Sequence, residues 1–132
     1  MRRVLVDTNI WSEVLRRSPG ADPFVLQNFH SLVRDSRIFL IGPIRQEVLS
    51  GLRHKAQFRR MVDLLSVYPD EPMETQDFIL AADMHNICRR QGIQGAHTDF
   101  LICAIATRRN LLIYTKDKDF SRYRECFEIH LY

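Results

Sequence analysis

The stretch VLVDTNIW, residues 4–11, decides the fold. With Arg3 before it, its apolar run reads as a strand over residues 3–6, buried on both faces, the pattern of a parallel sheet covered by helices. The run stops on a carboxylate, Asp7, and Thr8 turns at once into a helical pattern. A strand passing straight into a helix is the first half of a crossover unit. Asp7 therefore stands at the carboxyl end of a strand, where open parallel sheets place their sites.

Outward from this stretch the alternation continues. A helix is predicted over 8–17, ending before Ser18-Pro19-Gly20. Asp22-Pro23 starts the next, an N-cap followed by proline at the first helical position, and it should run to about residue 35. A strand over 37–41, a helix over 43–52 and a basic helix to about residue 65 follow. Residues 66–68 read as a short strand before the turn-rich Pro69-Asp70-Glu71-Pro72. Helices over 75–91 and 98–109 flank a loop, and the apolar strand 111–115 comes next. A helical turn at 120–124 and a last strand, 127–131, complete the pattern. Strands separated by helices throughout imply a three-layer α/β/α sandwich with a central parallel sheet. No repeat, low-complexity segment or long linker divides the chain, so one domain over 1–132 is expected.

A chain of 132 residues can bury roughly two-thirds of its unfolded surface, enough for one core. Its hydrophobic fraction of 45% and charged fraction of 27% exclude disorder as the default state. No apolar run approaches the ~20 residues that cross a bilayer, and Asp7 interrupts any signal-peptide core, so a cytoplasmic protein without membrane contact is expected. Cys88, Cys103 and Cys126 are odd in number and widely spaced, which reads as reduced, packed thiols. The net charge of +3 only hints at a polyanionic partner, and its distribution says more. The pairs Arg16/Arg17, Arg89/Arg90 and Arg108/Arg109 each follow a helical stretch, where basic residues meet the negative end of the macrodipole. The cluster Arg53, His54, Lys55, Arg59 and Arg60 stands at a helix start and lacks that explanation.

Four carboxylates need their own account. Asp7 and Asp117 follow apolar strands, and either alone is also an ordinary helix cap. Glu47 lies on or beside the inward stripe of its helix, with Ile44, Val48, Gly51 and Leu52 as neighbours. Asp99 shares a stripe with Ile102, Cys103 and Ala106, although the first turn of a helix favours a carboxylate in any case. A doubly wound sheet can bring all four to one edge. Crowded carboxylates repel one another unless a cation is present, and oxygen-only ligands suit Mg²⁺ or Mn²⁺.

VLVDTNIW, RQEVLSGL at 45–52, AADMHNICRRQGI at 81–93, HTDFLICAIA at 97–106 and TKDKDF at 115–120, in this order and spacing, resemble the PIN-domain ribonucleases. Within them the chain looks like the VapC-type toxins of prokaryotic toxin–antitoxin pairs, along essentially its whole length. The resemblance implies Asp7, Glu47, Asp99 and Asp117 as the catalytic and metal-binding quartet, with Asp7 and Asp99 foremost. It also implies Asp119 as a further acid, Thr8 as the residue orienting Asp7 or a bound water, and Asn9 and Thr115 as supporting polar groups. RNA hydrolysis with one or two Mg²⁺ or Mn²⁺ ions follows as the implied activity, leaving 5′-phosphate and 3′-hydroxyl ends. A small VapB-like antitoxin and a toxin homodimer are the implied partners. Arg53, Lys55, Arg59 and Arg60 are the candidates for RNA phosphate contacts.

Two other readings compete. A receiver-like or phosphatase-like domain needs a second acid beside Asp7 or two residues on, and Thr8, Asn9 and Ile10 supply none. A catalytically silent RNA-binding or assembly module would keep the fold, and the intact acids argue against it. Trp11, Phe24, Phe29 and Phe58 read as core or dimer contacts, and the five histidines as scattered, with His97 beside Asp99 the one worth testing.

Overall fold

Val4, Leu5 and Val6 are wholly buried, as the central strand of a sheet must be. The computed structural model describes residues 1–15 and 20–132. The pair Arg16/Arg17 lies outside the described residues. In chain order the elements are β1 (Val4–Val6), α1 (Thr8–Val14), α2 (Pro23–Arg34), β2 (Ile38–Phe39), α3 (Gly42–Ser50), α4 (Lys55–Leu65), α5 (Thr75–Arg90), α6 (His97–Arg109), β3 (Leu112–Tyr114) and α7 (Asp119–Tyr123). The sheet order is β2-β1-β3 and both pairings are parallel, with Leu5 opposite Phe39 on one side and Ile113 on the other. Helices flank this sheet in the three-layer α/β/α arrangement. Among the described residues no helix is long and apolar enough to cross a membrane.

The helices begin and end for local reasons. Asp22 accepts a hydrogen bond from the Phe24 amide at 2.9 Å, and Pro23 opens α2. α6 is buried without a break from Phe100 to Ala106, as a helix surrounded by other elements must be. It ends at Asn110, which takes the left-handed conformation at φ 53°. α5 starts with a reciprocal cap between Glu74 and Asp77. Asp77 is fully buried and receives Arg108 at 2.6 Å and Arg109 at 3.0 Å, which ties the start of α5 to the end of α6. Those two arginines therefore have a specific partner beyond the helix dipole.

Two expected strands are not ladders. Residues 66–68 form a turn, because Arg45 donates to the Leu65 carbonyl at 3.0 Å and to that of Tyr68 while pairing with Asp70 at 2.7 Å. Beyond that turn the Glu71 amide bonds the Leu40 carbonyl at 2.9 Å. The 127–131 segment contributes a single parallel bridge, Leu131 to Ile113, on the outer edge of β3. Trp11 is buried, donating its indole N–H to the Val6 carbonyl at 3.1 Å and meeting Phe29 and Tyr68 edge-on. Phe24 and Phe58, by contrast, are 75% and 41% exposed, so neither belongs to the core. All three cysteines are free thiols, Cys88 and Cys103 buried and Cys126 partly so.

Candidate metal centre

Because β1 and β3 are parallel neighbours, their carboxyl ends bring Asp7 and the segment after Tyr114 together. The Asp7 amide bonds the Tyr114 carbonyl at 2.9 Å, extending the ladder by one rung. Asp7 also caps α1: its Oδ1 accepts from the Thr8 amide at 2.8 Å. Its Oδ2 accepts from the Thr115 hydroxyl at 2.7 Å and the Asn9 amide at 3.5 Å. The carboxylate is thus a cap and a fixed, buried acid at once. Burial pushes its pKa up, the Thr115 and Thr8 donors pull it back, and Glu47 and Asp117 push it up again.

Thr115 sets the geometry of this corner. Its one proton goes to Asp7, and its lone pairs accept from Asn9 Nδ2 at 3.3 Å and the Asp117 amide at 3.0 Å. Asn9 Oδ1 accepts from the Lys116 amide at 3.0 Å, which fixes the orientation of that side chain. Asp117 Oδ1 in turn accepts from the Asp119 amide at 2.9 Å at the start of α7.

Asp99, in the first turn of α6, Asp117 and Asp119 each offer a carboxylate oxygen within 4.8 Å of the others. Burial, and then the charges of Asp7, Asp117 and Asp119, push Asp99 up to about 6, although a hydrogen bond from the Tyr123 hydroxyl at 2.7 Å lowers it. Such a set of crowded oxygens, without His or Cys, fits a hard divalent cation. Glu47 is exposed on α3 and accepts from the Thr8 hydroxyl at 2.7 Å. Thr8 thus serves Asp7 through its amide and Glu47 through its hydroxyl. Asp119, expected from the resemblance as a supporting acid, stands inside the oxygen cluster.

Sequence reasoning missed Tyr123, whose hydroxyl reaches Asp99 across 24 positions of chain. No local pattern in the sequence links the two, since the contact forms between α6 and α7. It also missed Lys116, which pairs with the buried Glu13 at 3.3 Å beside the cleft. His85 and His97, scattered in sequence, stack with ring centroids 5.2 Å apart. Arg53, Lys55, Arg59 and Arg60 are all exposed. Glu47 lines a cleft of about 230 Å³ that shares Leu15, Gln57 and Met61 with a neighbouring one of about 520 Å³ lined by His54 and Arg60.

The sequence matches the PIN domain model over residues 4–125. The chain belongs to the PIN domain family. Among curated proteins no sequence matches. This PIN domain superposes on FitAcB from Neisseria gonorrhoeae with a TM-score of 0.80 at 20% identity, covering 98% of this chain and 96% of that one. It is similar to a chain of VapBC2 from Rickettsia felis, bound to a DNA fragment from their promoter, at TM-score 0.79 and 16% identity, covering 98% and 96%. A third similar structure is VapBC-5 from Mycobacterium tuberculosis, of the VapBC family of toxin-antitoxin systems, at TM-score 0.68 and 17% identity over 100% of both chains. At such identities the likeness establishes the fold of the PIN domain.

Proposed function

We propose that this PIN domain, one nuclease domain over 1–132, is a Mg²⁺- or Mn²⁺-dependent endoribonuclease and the toxin of a VapBC-type pair. The observation that carries the reading is the oxygen cluster of Asp99, Asp117 and Asp119, within 4.8 Å, beside the buried Asp7. Membership of the PIN domain family and the likeness to VapBC chains support it. An ion held there would supply charge stabilisation at the scissile phosphate and a more acidic water for in-line attack.

The side chains divide that work. Asp7, held by Thr8, Thr115 and Asn9, and Asp99, held by Tyr123, are the rigid ligands, and Asp117 and Asp119 complete the set. Glu47, exposed and bonded by the Thr8 hydroxyl, is placed to turn toward the ion or to accept a proton near the phosphate, and Asp117 and Asp119 are equal candidates for the proton. Asp99, whose burial and acidic neighbours raise its carboxyl to about 6, would be held in its ionised form by a bound cation. Arg60 and His54 continue the cleft away from Glu47, so Arg53, Lys55, Arg59 and Arg60 are the phosphate contacts of the RNA strand outside the centre.

The reading includes a VapB-like antitoxin over the acidic cleft, a toxin homodimer and a cytoplasmic site of action on RNA. Phe78 and Ile79 on α5, 50% and 57% exposed, are apolar surface that a second copy would cover. The test is incubation of the purified protein with total RNA, with and without Mg²⁺ or Mn²⁺, followed by mapping of new 5′ ends. Metal-dependent ends that vanish in Asp7→Asn and Asp99→Asn are expected; cleavage that survives both substitutions would sink the assignment.

A further inference from the structure

Asp99 has one side-chain hydrogen-bond donor among the described residues, the hydroxyl of Tyr123, 2.7 Å from Oδ2. Tyr123 is wholly buried, its ring 5.0 Å from that of Phe100 and 5.2 Å from that of Phe120. Those contacts require an aromatic ring and leave the hydroxyl unexplained. Held at Oδ2, Asp99 keeps its other oxygen for a cation. The donor is also neutral, since a phenol carries its proton up to about pH 10. An arginine here would orient the carboxylate equally well but would neutralise it and repel a cation. A phenol orients without competing.

Gly95 supplies the room. A Cβ at this position would lie 2.2 Å from the Tyr123 hydroxyl oxygen and 2.7 Å from Cζ, distances that no pair of such atoms adopts. The ring is wholly buried between those of Phe100 and Phe120, so moving it aside disturbs the core. Gly95 does not have a positive φ, as Gly92 does, so its backbone needs no glycine. What the position uses is the missing side chain.

We propose that Tyr123 is a positioning residue that aims Asp99 at the cation, and that Gly95 is the space that allows it. The proposal rests on the metal-centre reading above. Its test is Mn²⁺ titration, by calorimetry and electron paramagnetic resonance, of the wild type, Tyr123→Phe, Gly95→Ala, the double variant and Asp99→Asn, with metal-free melting curves alongside. Tyr123→Phe should bind Mn²⁺ about 10–100-fold more weakly while melting close to the wild type, since the ring and its packing stay. Gly95→Ala should lose affinity in the same range, and the double variant no more than the worse single one, because both act on one hydrogen bond. Tyr123→Phe binding as tightly as wild type while Asp99→Asn fails to bind would overturn the proposal and leave the metal centre standing. A wild type that takes up no Mn²⁺ would overturn both.

Discussion

The Thr115 hydroxyl donates to Asp7 Oδ2 at 2.7 Å, joining residues 108 positions apart at the rim of the sheet. Since the Thr115 hydroxyl oxygen also accepts from Asn9 Nδ2 and the Asp117 amide, it holds three members of the site to one point. Thr115→Val keeps the shape and removes the hydroxyl. It should cost about 1–3 kcal/mol, because two donors lose their acceptor, and should weaken Mn²⁺ binding about 10–100-fold. Urea midpoints and Mn²⁺ titration check this; unchanged values in both would show the hydroxyl to be idle.

Asp99 predicts how the metal-free protein responds to pH. Burial and its acidic neighbours raise it from 3.8 to about 6, so the fold favours the protonated form. That contribution is complete below the unfolded value near 3.8 and is lost as pH rises through about 6. Asp7, raised for the same first reason, adds with the same sign. In chelator, Asp99→Asn should therefore melt above the wild type at neutral pH, with the gap closing toward about pH 4. Calorimetric scans showing a gap independent of pH would contradict this.

Acid should act on Asp77 in the opposite sense. Its burial works to raise the carboxyl, but Arg109, the Glu74 amide and Arg108 outweigh that and hold it at about 2. The stability it brings is present above its unfolded value of 3.8 and is lost as pH falls toward about 2. Asp77→Asn should cost about 3 kcal/mol at neutral pH by removing the buried charge that Arg108 and Arg109 share between α5 and α6, leaving them the exposed Glu74. Urea denaturation gives the number, and a loss below about 1 kcal/mol would reduce this triad to an ordinary surface pair.

Replacing Arg53, Lys55, Arg59 and Arg60 together by glutamine tests the basic strip. All four are exposed, so the fold should be untouched. If each meets a phosphate of single-stranded RNA, the slope of log affinity against log salt should flatten by roughly 3. Filter-binding across a salt series measures it; an unaltered slope would return the four to a solvated face.

Much of the fold follows from patterns that act over short distances. Residues 75–91 read as a helix and α5 runs Thr75–Arg90, because apolar spacing and a helix-stopping Gly92 act within a few turns. The strand that breaks at Asp7 and the helix that starts at Thr8 are equally local. The expected strand at 66–68 is a turn instead, its Tyr68 carbonyl and that of the preceding Leu65 taken by Arg45, some twenty residues earlier.

From the sequence alone, the acids at strand ends and helix starts could be picked out, and the parallel crossover layout that makes their meeting possible could be inferred. Only the tertiary structure decided that Asp99, Asp117 and Asp119 crowd together, that Thr8 turns its hydroxyl to Glu47, and that Tyr123 reaches Asp99. Periodicity and capping are set by bonds a few residues long, whereas these contacts form between elements whose relative placement depends on packing the entire core.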